Sequence, residues 1–497
     1  MHEFRRLILA VFFVGVSAFS AYSQDMLGLA NSNFAGVMGI SLNPSSMVGS
    51  KLYMDYNLIG FNVSVDNSFA YIEKGDFYNL IFKGIEPVYY TSKNEKRNFA
   101  YYDNDKLKNG YVDMKITGPG AMLVYGKHAF GLTTSYRTLA SFNNLPPDVA
   151  TFLYEAIDYP PQQMKLYSHD KPIKGSFLSW LEIGVSYSYL IHRKKWEFWS
   201  LGITLKPLFG YSGLYMSVDN VNYMVENDST AHLQNTSFQY AYSLPVDYTN
   251  NDFTGGFKRG FGFGADIGVT YEKTRKGHGN GIFSRLCEQR YDSYNYKIGF
   301  SILDLGYIRF TKNAEDYSYN DASAYWYEPD DTLPNSSMNE INTKIRSYFG
   351  DPAGVSTKFS MYLPMAVSLQ YDRWMWKGFY LNGTLIYGFK FGDASVKRPT
   401  ILAITPRWER VRYEFSFPIS FYEWEPIPKL GFFIRYGAFY VGFDNLNPFL
   451  KISDFTGTNI YFGLRLNLMR LIHMDYWKGN CDDLRMRDIE TFDYRNF

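Results

Sequence analysis

Long runs of alternating apolar and small polar residues constrain this chain more than any other feature. From residue 180 to 191 one face reads Leu181, Ile183, Val185, Tyr187, Tyr189 and Ile191, and the other reads Trp180, Glu182, Gly184, Ser186, Ser188 and Leu190. The division recurs at 201–211 and at 261–271, where Phe261, Phe263, Ala265, Ile267, Val269 and Tyr271 oppose Gly262, Gly264, Asp266, Gly268 and Thr270. Near the end Ile460, Phe462, Leu464, Leu466 and Leu468 oppose Tyr461, Gly463, Arg465 and Asn467. A period of two is the signature of a strand with two chemically distinct faces. These runs last about 9–12 residues, whereas a soluble strand averages about 5–6 and a tilted membrane strand needs about 9–11. The polar face suits a hydrated or side-chain-filled lumen, and the apolar face often ends in an aromatic ring, as at a lipid–water boundary. A propeller would repeat at a fixed period, which this chain does not do.

The sequence therefore predicts an all-β fold, a single-chain antiparallel transmembrane β-barrel. Candidate strands are 51–63, 112–125, 128–138, 178–191, 198–211, 213–224, 234–244, 259–272, 294–309, 358–372, 377–390, 399–416, 429–443 and 458–470, about 14 in number. Folding 399–416 at Trp408-Glu409-Arg410, with a further partner near 316–328, gives 16 as the alternative count. The long connections 64–111, 139–177 and 310–357 share one end, while Gly126-Lys127, His192–Glu197 and Arg373–Lys377 share the other. Long outer loops and short inner turns are the asymmetry of an outer-membrane barrel.

Composition narrows the function. Lys plus Arg total 50 against 49 Asp plus Glu, so no basic surplus invites nucleic acid. Aromatic residues reach 19%, which argues against disorder. The one long apolar run is at the start: Arg5 and Arg6, then Leu7 to Val16, then Ala21-Tyr22-Ser23. That order is a secretory signal, with cleavage expected before Gln24 and export to the outer membrane of a Gram-negative cell. The chain then divides into a signal peptide at 1–23, an N-terminal luminal plug or lead-in at 24–50, a barrel at 51–472 and a periplasmic tail at 473–497. Residues 26–50 sustain no alternation, and Asn43-Pro44 is a turn former. An irregular backbone at membrane depth is tolerated only within a lumen or against protein. Asn43, Pro44 and Ser45 are thus the candidate plug or gate, and a periplasmic lead-in to the first strand is the alternative.

Motifs for chemistry are absent. No HExxH, His-x-His or Cys/His spacing offers a metal site, and neither a G-x-S-x-G elbow nor a P-loop is present. The Gly260–Gly264 stretch (GFGFG) lies within an alternating strand, where glycines mark crowding or a bend. No catalytic residue, cofactor or metal ligand is assigned, and the chain does not read as an enzyme. The two cysteines, Cys287 between strands and Cys481 in the tail, both fall at the periplasmic end of this topology. A disulfide between them is chemically permitted there, with two free thiols as the alternative.

Three stretches carry a resemblance: Asn31–Met47 (NSNFAGVMGISLNPSSM), Gly299–Arg309 (GFSILDLGYIR), and Ile434–Leu446 (IRYGAFYVGFDNL) continued by Gly457–Leu464 (GTNIYFGL). The chain resembles an uncharacterised outer-membrane β-barrel family of Bacteroidota bacteria. Asn43-Pro44-Ser45 is similar to the Asn-Pro-Ala element of the FadL and PorV type of long-chain fatty-acid transporter barrels, with Ser45 in place of Ala. The resemblance implies an N-terminal segment that enters the lumen and helps close it. Two functions follow. One is a passive transporter or channel for small apolar or amphipathic solutes, with outer-membrane lipid and a hydrophobic small-molecule ligand as partners. The other is a non-transporting barrel that anchors or assembles a periplasmic or surface protein.

Overall fold

The computed structural model describes residues 26–74, 99–155, 157, 159–194, 197–256, 258–274, 294–327, 336–376, 378–392, 394–410 and 412–466. Alternation makes a barrel here because each strand has one face for lipid and one for the interior. Val185, Leu205 and Ile267 are exposed on the outside, whereas their neighbours Ser186, Thr204 and Asp266 are buried. The wall is a closed antiparallel barrel of 14 strands. In chain order these are β1 (Met54–Asn67), β2 (Lys108–Thr117 and Gly120–Tyr125), β3 (His128–Leu145), β4 (Ile173–Lys194) and β5 (Glu197–Asp219). Next come β6 (Thr230–Ser243 and Gly260–Thr274), β7 (Tyr294–Phe310 and Ala314–Tyr327) and β8 (Gly354–Ser356, Phe359–Tyr362 and Ala366–Trp376). The remainder are β9 (Phe379–Gly388), β10 (Ile401–Glu409), β11 (Tyr413–Ser416 and Ile419–Tyr422), β12 (Lys429–Leu430 and Phe432–Tyr436), β13 (Phe439–Phe443) and β14 (Gly457–Leu466). Closure comes from β14 pairing with β1, Tyr56 opposite Leu466 and Asn57 opposite Arg465. No described helix is long and apolar enough to cross a membrane.

The strand total agrees with the alternation count, but four parts of the wall are divided differently. The candidates 198–211 and 213–224 are one strand, β5, and Val221–Val225 forms a separate ribbon with β6. Gly210 and Gly213 look like turn residues, but they are space for a ring. A Cβ at Gly210 would come within 2.9 Å of Phe310, and one at Gly213 within 2.6 Å. The candidates 234–244 and 259–272 are also one strand, β6. Ser243 pairs with Gly213 and Gly260 with Gly210, so residues 244–259 bulge out and the strand resumes. Arg259 holds that bulge shut by donating to the carbonyls of Leu244, Gly255 and Gly256 and to the Thr254 hydroxyl. Residues 314–327 likewise continue β7 and are not a new strand. Conversely, 399–416 and 429–443 each fold into a hairpin, β10–β11 and β12–β13.

The wall is uneven. At 22 and 23 residues, β4 and β5 are about twice the length that a tilted spanning strand uses, while β13 has five residues. The surplus projects at the end that carries the long connections. Among the described residues two α-helices sit there, α1 (Pro147–Glu155) and α2 (Met338–Phe349). Ser337 caps α2 with a reciprocal Glu340 bond, the arrangement that satisfies its first free amides.

Candidate functional site

The interior is layered. Nearest the long-connection end lies an apolar layer that includes Leu139, Trp180, Leu208, Ile308, Phe310 and Met361, all buried. Two residues further along three of the same strands the chemistry inverts, because inward positions recur every second residue: Leu139 gives way to Arg137, Trp180 to Glu182 and Leu208 to Lys206. Arg137 Nη1 donates to both Asp304 carboxylate oxygens at 2.9 and 3.0 Å, and Lys206 bonds Asp266 at 2.6 Å and Asp304 at 2.9 Å. Charges this deep persist only when paired and hydrogen-bonded. The Arg137 guanidinium also lies 4.8 Å from the Trp180 ring centre, which joins the two layers.

Below the charged layer the lumen is occupied by residues 26–50. This segment folds into two short 3-10 helices, Gly36–Ser41 and Pro44–Met47. The Asn43 side chain caps the second by accepting the Ser45 amide at 3.0 Å, and Pro44 takes the first position, where no donor is needed. The segment is held in two ways. Along its first half the wall offers charges. Ser32 donates to Glu414 at 2.8 Å, the Asn33 amide and side chain donate to Glu409 at 3.0 and 2.9 Å, and Arg465 donates to the Phe34 and Ala35 carbonyls. Glu409 is also paired with Arg407 at 2.5 Å and with Lys51 at 3.6 Å. The Gly28 amide donates to the Tyr461 hydroxyl at 3.1 Å.

Along its second half the wall offers glycines and neutral groups. Asn43, Pro44 and Ser45 rest on Gly202 of β5 and Gly268 of β6, which are register partners. A Cβ on Gly202 would stand 2.3 Å from the Ser45 nitrogen, and one on Gly268 would stand 2.1 Å from the Asn43 Oδ1. Only glycine allows the backbones to approach this closely. Around that floor, the Ser188 and Ser200 hydroxyls donate to the Ser45 carbonyl at 3.2 and 3.1 Å, and Ser301 donates to the Leu42 carbonyl at 2.6 Å. Asn43 Nδ2 donates to Gln370 at 3.0 Å, and the Ser45 and Thr270 hydroxyls are 2.6 Å apart.

Asn43, Pro44 and Ser45 are therefore neighbours in one luminal seat, while Cys287 and Cys481 lie outside the described residues, as do His278, His473 and the 473–497 tail. The anchors Glu409, Glu414 and Arg465 were not singled out from sequence, although their parity was a signal. Arg465 lies on the polar face of the last alternating run, and Arg407 and Glu409 share the inward face of β10.

Cavities of about 40 Å³ flank the segment. One is lined by Asn31, Asn43, Ser46, Thr270 and Lys297, the other by Val37, Ile40, Lys115, Thr204, Lys206 and Asp266. Each is the size of a few waters rather than a solute. Among the described residues no group of three or more His, Cys, Asp or Glu side chains could hold a metal ion. His169 and Tyr223 converge on Asp148 at 2.8 and 2.9 Å outside the barrel proper, with no nucleophile among those contacts.

Among solved structures, the chain is similar to a TodX monoaromatic hydrocarbon channel (deltaS2S3 mutant), at 8% identity over 90% of this chain and 99% of that one, with a TM-score of 0.41. It is also similar to a FadL homologue of Pseudomonas aeruginosa, at 9% identity over 90% and 98% of the two chains, TM-score 0.41. A weaker likeness, TM-score 0.23, is to the ferric yersiniabactin uptake receptor FyuA from Yersinia pestis, at 7% identity over 79% of this chain and 48% of that one. No curated protein sequence matches. Residues 44–444 match the family of unknown function DUF5723, and this protein belongs to that family.

Proposed function

We propose that this protein is an outer-membrane transporter for small apolar or amphipathic solutes, gated by Asn43-Pro44-Ser45 of its luminal segment. The observation that carries the reading is the neutral, glycine-floored seat of Asn43-Pro44-Ser45. Hydroxyl and amide contacts exchange with water at little net cost, so Asn43-Pro44-Ser45 can leave its seat at a cost set mainly by the apolar anchors beside it, Leu42 and Met47, while the charged half stays tethered. The apolar layer above a charged layer suits a solute with an apolar body and a polar end. Entering from outside, the solute meets Trp180 and Phe310 before Arg137 and Lys206.

The test is a reversible staple. Ser45→Cys with Thr270→Cys, in a Cys287→Ser/Cys481→Ser background, places two sulfurs where hydroxyls now lie 2.6 Å apart. In liposomes, flux of a short-chain fatty acid should stop on oxidation and return on reduction. Flux indifferent to the staple sinks the gate. No flux in either state favours a second reading, a barrel that receives a protein partner. That reading is supported by exposed aromatics on the projecting β6–β7 ribbon, where Tyr325 stacks on His232 with ring centres 4.0 Å apart and Tyr327 lies beyond.

A further inference from the structure

The outside of the barrel carries an unneutralised cationic cluster at the boundary between the apolar belt and the projecting wall. Arg309 lies on β7 between Ile308 and Phe310, both fully buried, so its guanidinium faces outward. Its register partners are Phe261 on β6 and Ser360 on β8. Lys358 is two residues beyond Ser360 and exposed, and Phe359 between them is buried in the apolar layer. On the other flank, Lys258 Nζ lies 5.1 Å from the Phe261 ring centre and 5.8 Å from that of Phe209. One row nearer the membrane centre come Phe263, Tyr307 and Tyr362, paired across β6, β7 and β8. Three cations, one on β7 and one beside each of its neighbours β6 and β8, thus stand directly above an aromatic belt.

Two contrasts give the cluster meaning. Lys397, at the same end of the wall, is paired with Glu423 at 2.9 Å, whereas none of Lys258, Arg309 and Lys358 has a carboxylate partner among the described residues. The carboxylate next along β7, Glu315, is engaged by Tyr242, Tyr317 and Asn342. Beyond the cluster the same outward face is roofed by α2, whose Ile345 and Phe349 pack on Phe238 and Tyr240. The result is a ledge with cations at its back, rings below and a helix above.

We infer that this ledge binds the phosphate headgroup of an anionic membrane lipid, with its acyl chains along Phe263, Tyr307 and Tyr362. A guanidinium chelates phosphate oxygens in a bidentate fork, and two flanking ammonium groups complete the charge complement. Cations just outside an apolar belt meet headgroups at that depth. The lipid source is favoured over a free anion because the rings continue the site into the hydrocarbon. The inference does not depend on whether the lumen conducts.

Native mass spectrometry of the delipidated full-length protein, offered equimolar phosphatidic acid and phosphatidylcholine of identical chains, tests it. The wild type should retain phosphatidic acid with a preference of roughly tenfold. The K258Q/R309Q/K358Q variant should lose that preference while keeping the heat-modifiable gel migration of a folded barrel. Lys397→Gln should leave the preference unchanged. Undiminished preference in the triple variant overturns the site. Displacement of the lipid by an equal concentration of inorganic phosphate also overturns it, by showing that the site takes a free anion.

Discussion

Residues 32–35 and 42–45 of the luminal segment are equally buried and held by opposite chemistry. Residues 32–35 are tied to Glu409, Glu414 and Arg465, whereas residues 42–45 rest on Gly202 and Gly268 amid serine, threonine and glutamine. Burial alone would suggest one immobile plug. The comparison shows instead a tether and a seat. Breaking a buried ion pair leaves an uncompensated charge, while a neutral hydrogen bond is replaced by water with small net loss. Mobility should therefore concentrate at Asn43-Pro44-Ser45, with residues 32–35 fixed.

The largest effect is expected from Glu409→Ala, which takes one carboxylate partner from Arg407 and Lys51 and two hydrogen bonds from Asn33. Loss of a buried charge partner costs about 3–5 kcal/mol, so the thermal unfolding temperature should fall clearly in a denaturation scan. If the barrel instead keeps its stability, the tether half is not a tether. Gly202→Ala comes next. Its methyl group would overlap the Ser45 backbone, and overpacking of about 1–3 kcal/mol should shift the seated state by roughly five- to 150-fold. Liposome swelling with small sugars should accelerate while gel migration stays that of a folded barrel. Should Glu409→Ala open the lumen more than Gly202→Ala does, the assignment of tether and seat is reversed. Asn43→Ala removes both the helix cap and the bond to Gln370, worth about 1–2 kcal/mol together. Hydrogen exchange should rise at residues 44–47 and not at 32–35. The smallest change is Ser188→Ala, about 0.5–1.5 kcal/mol, because Ser200 still serves the Ser45 carbonyl; a modest further gain in exchange at Ser45 is the readout.

Much of the wall was legible because lipid imposes period two wherever a strand crosses it. In the runs 180–191, 201–211 and 261–271 the apolar set faces outside and the Gly, Ser and Thr set inside. Legibility failed where a residue type had two physical uses. Gly210 and Gly213 serve as clearance for Phe310, yet the same residues elsewhere make turns. Residues 244–259 leave the sheet and return in register, which needs Arg259 to close the bulge and cannot be read from composition. The hairpin at 437–438 was hidden because its strands, β12 and β13, are too short to show alternation on their own. At the candidate site, Asn43-Pro44 announced an irregular backbone, but the glycine floor came from two strands whose register no single segment specifies. Charged anchors were visible by parity as inward residues. Their partners, up to 431 positions away in the chain, were not.

The position of the segment has a consequence for how the molecule is put together. Residues 26–50 precede β1 in the chain, yet they touch β5, β6 and β7 on one side and β14 on another. Arg465, which reaches the Phe34 carbonyl, sits in the strand that completes the cylinder, directly opposite Asn57. In the folded state the ribbon of strands encloses its own leading end, and the β1–β14 seam lies against it. Arg465 thereby couples closure of the cylinder to the seating of the segment, because whatever unpairs β14 from β1 also draws the clasp away from the Phe34 carbonyl.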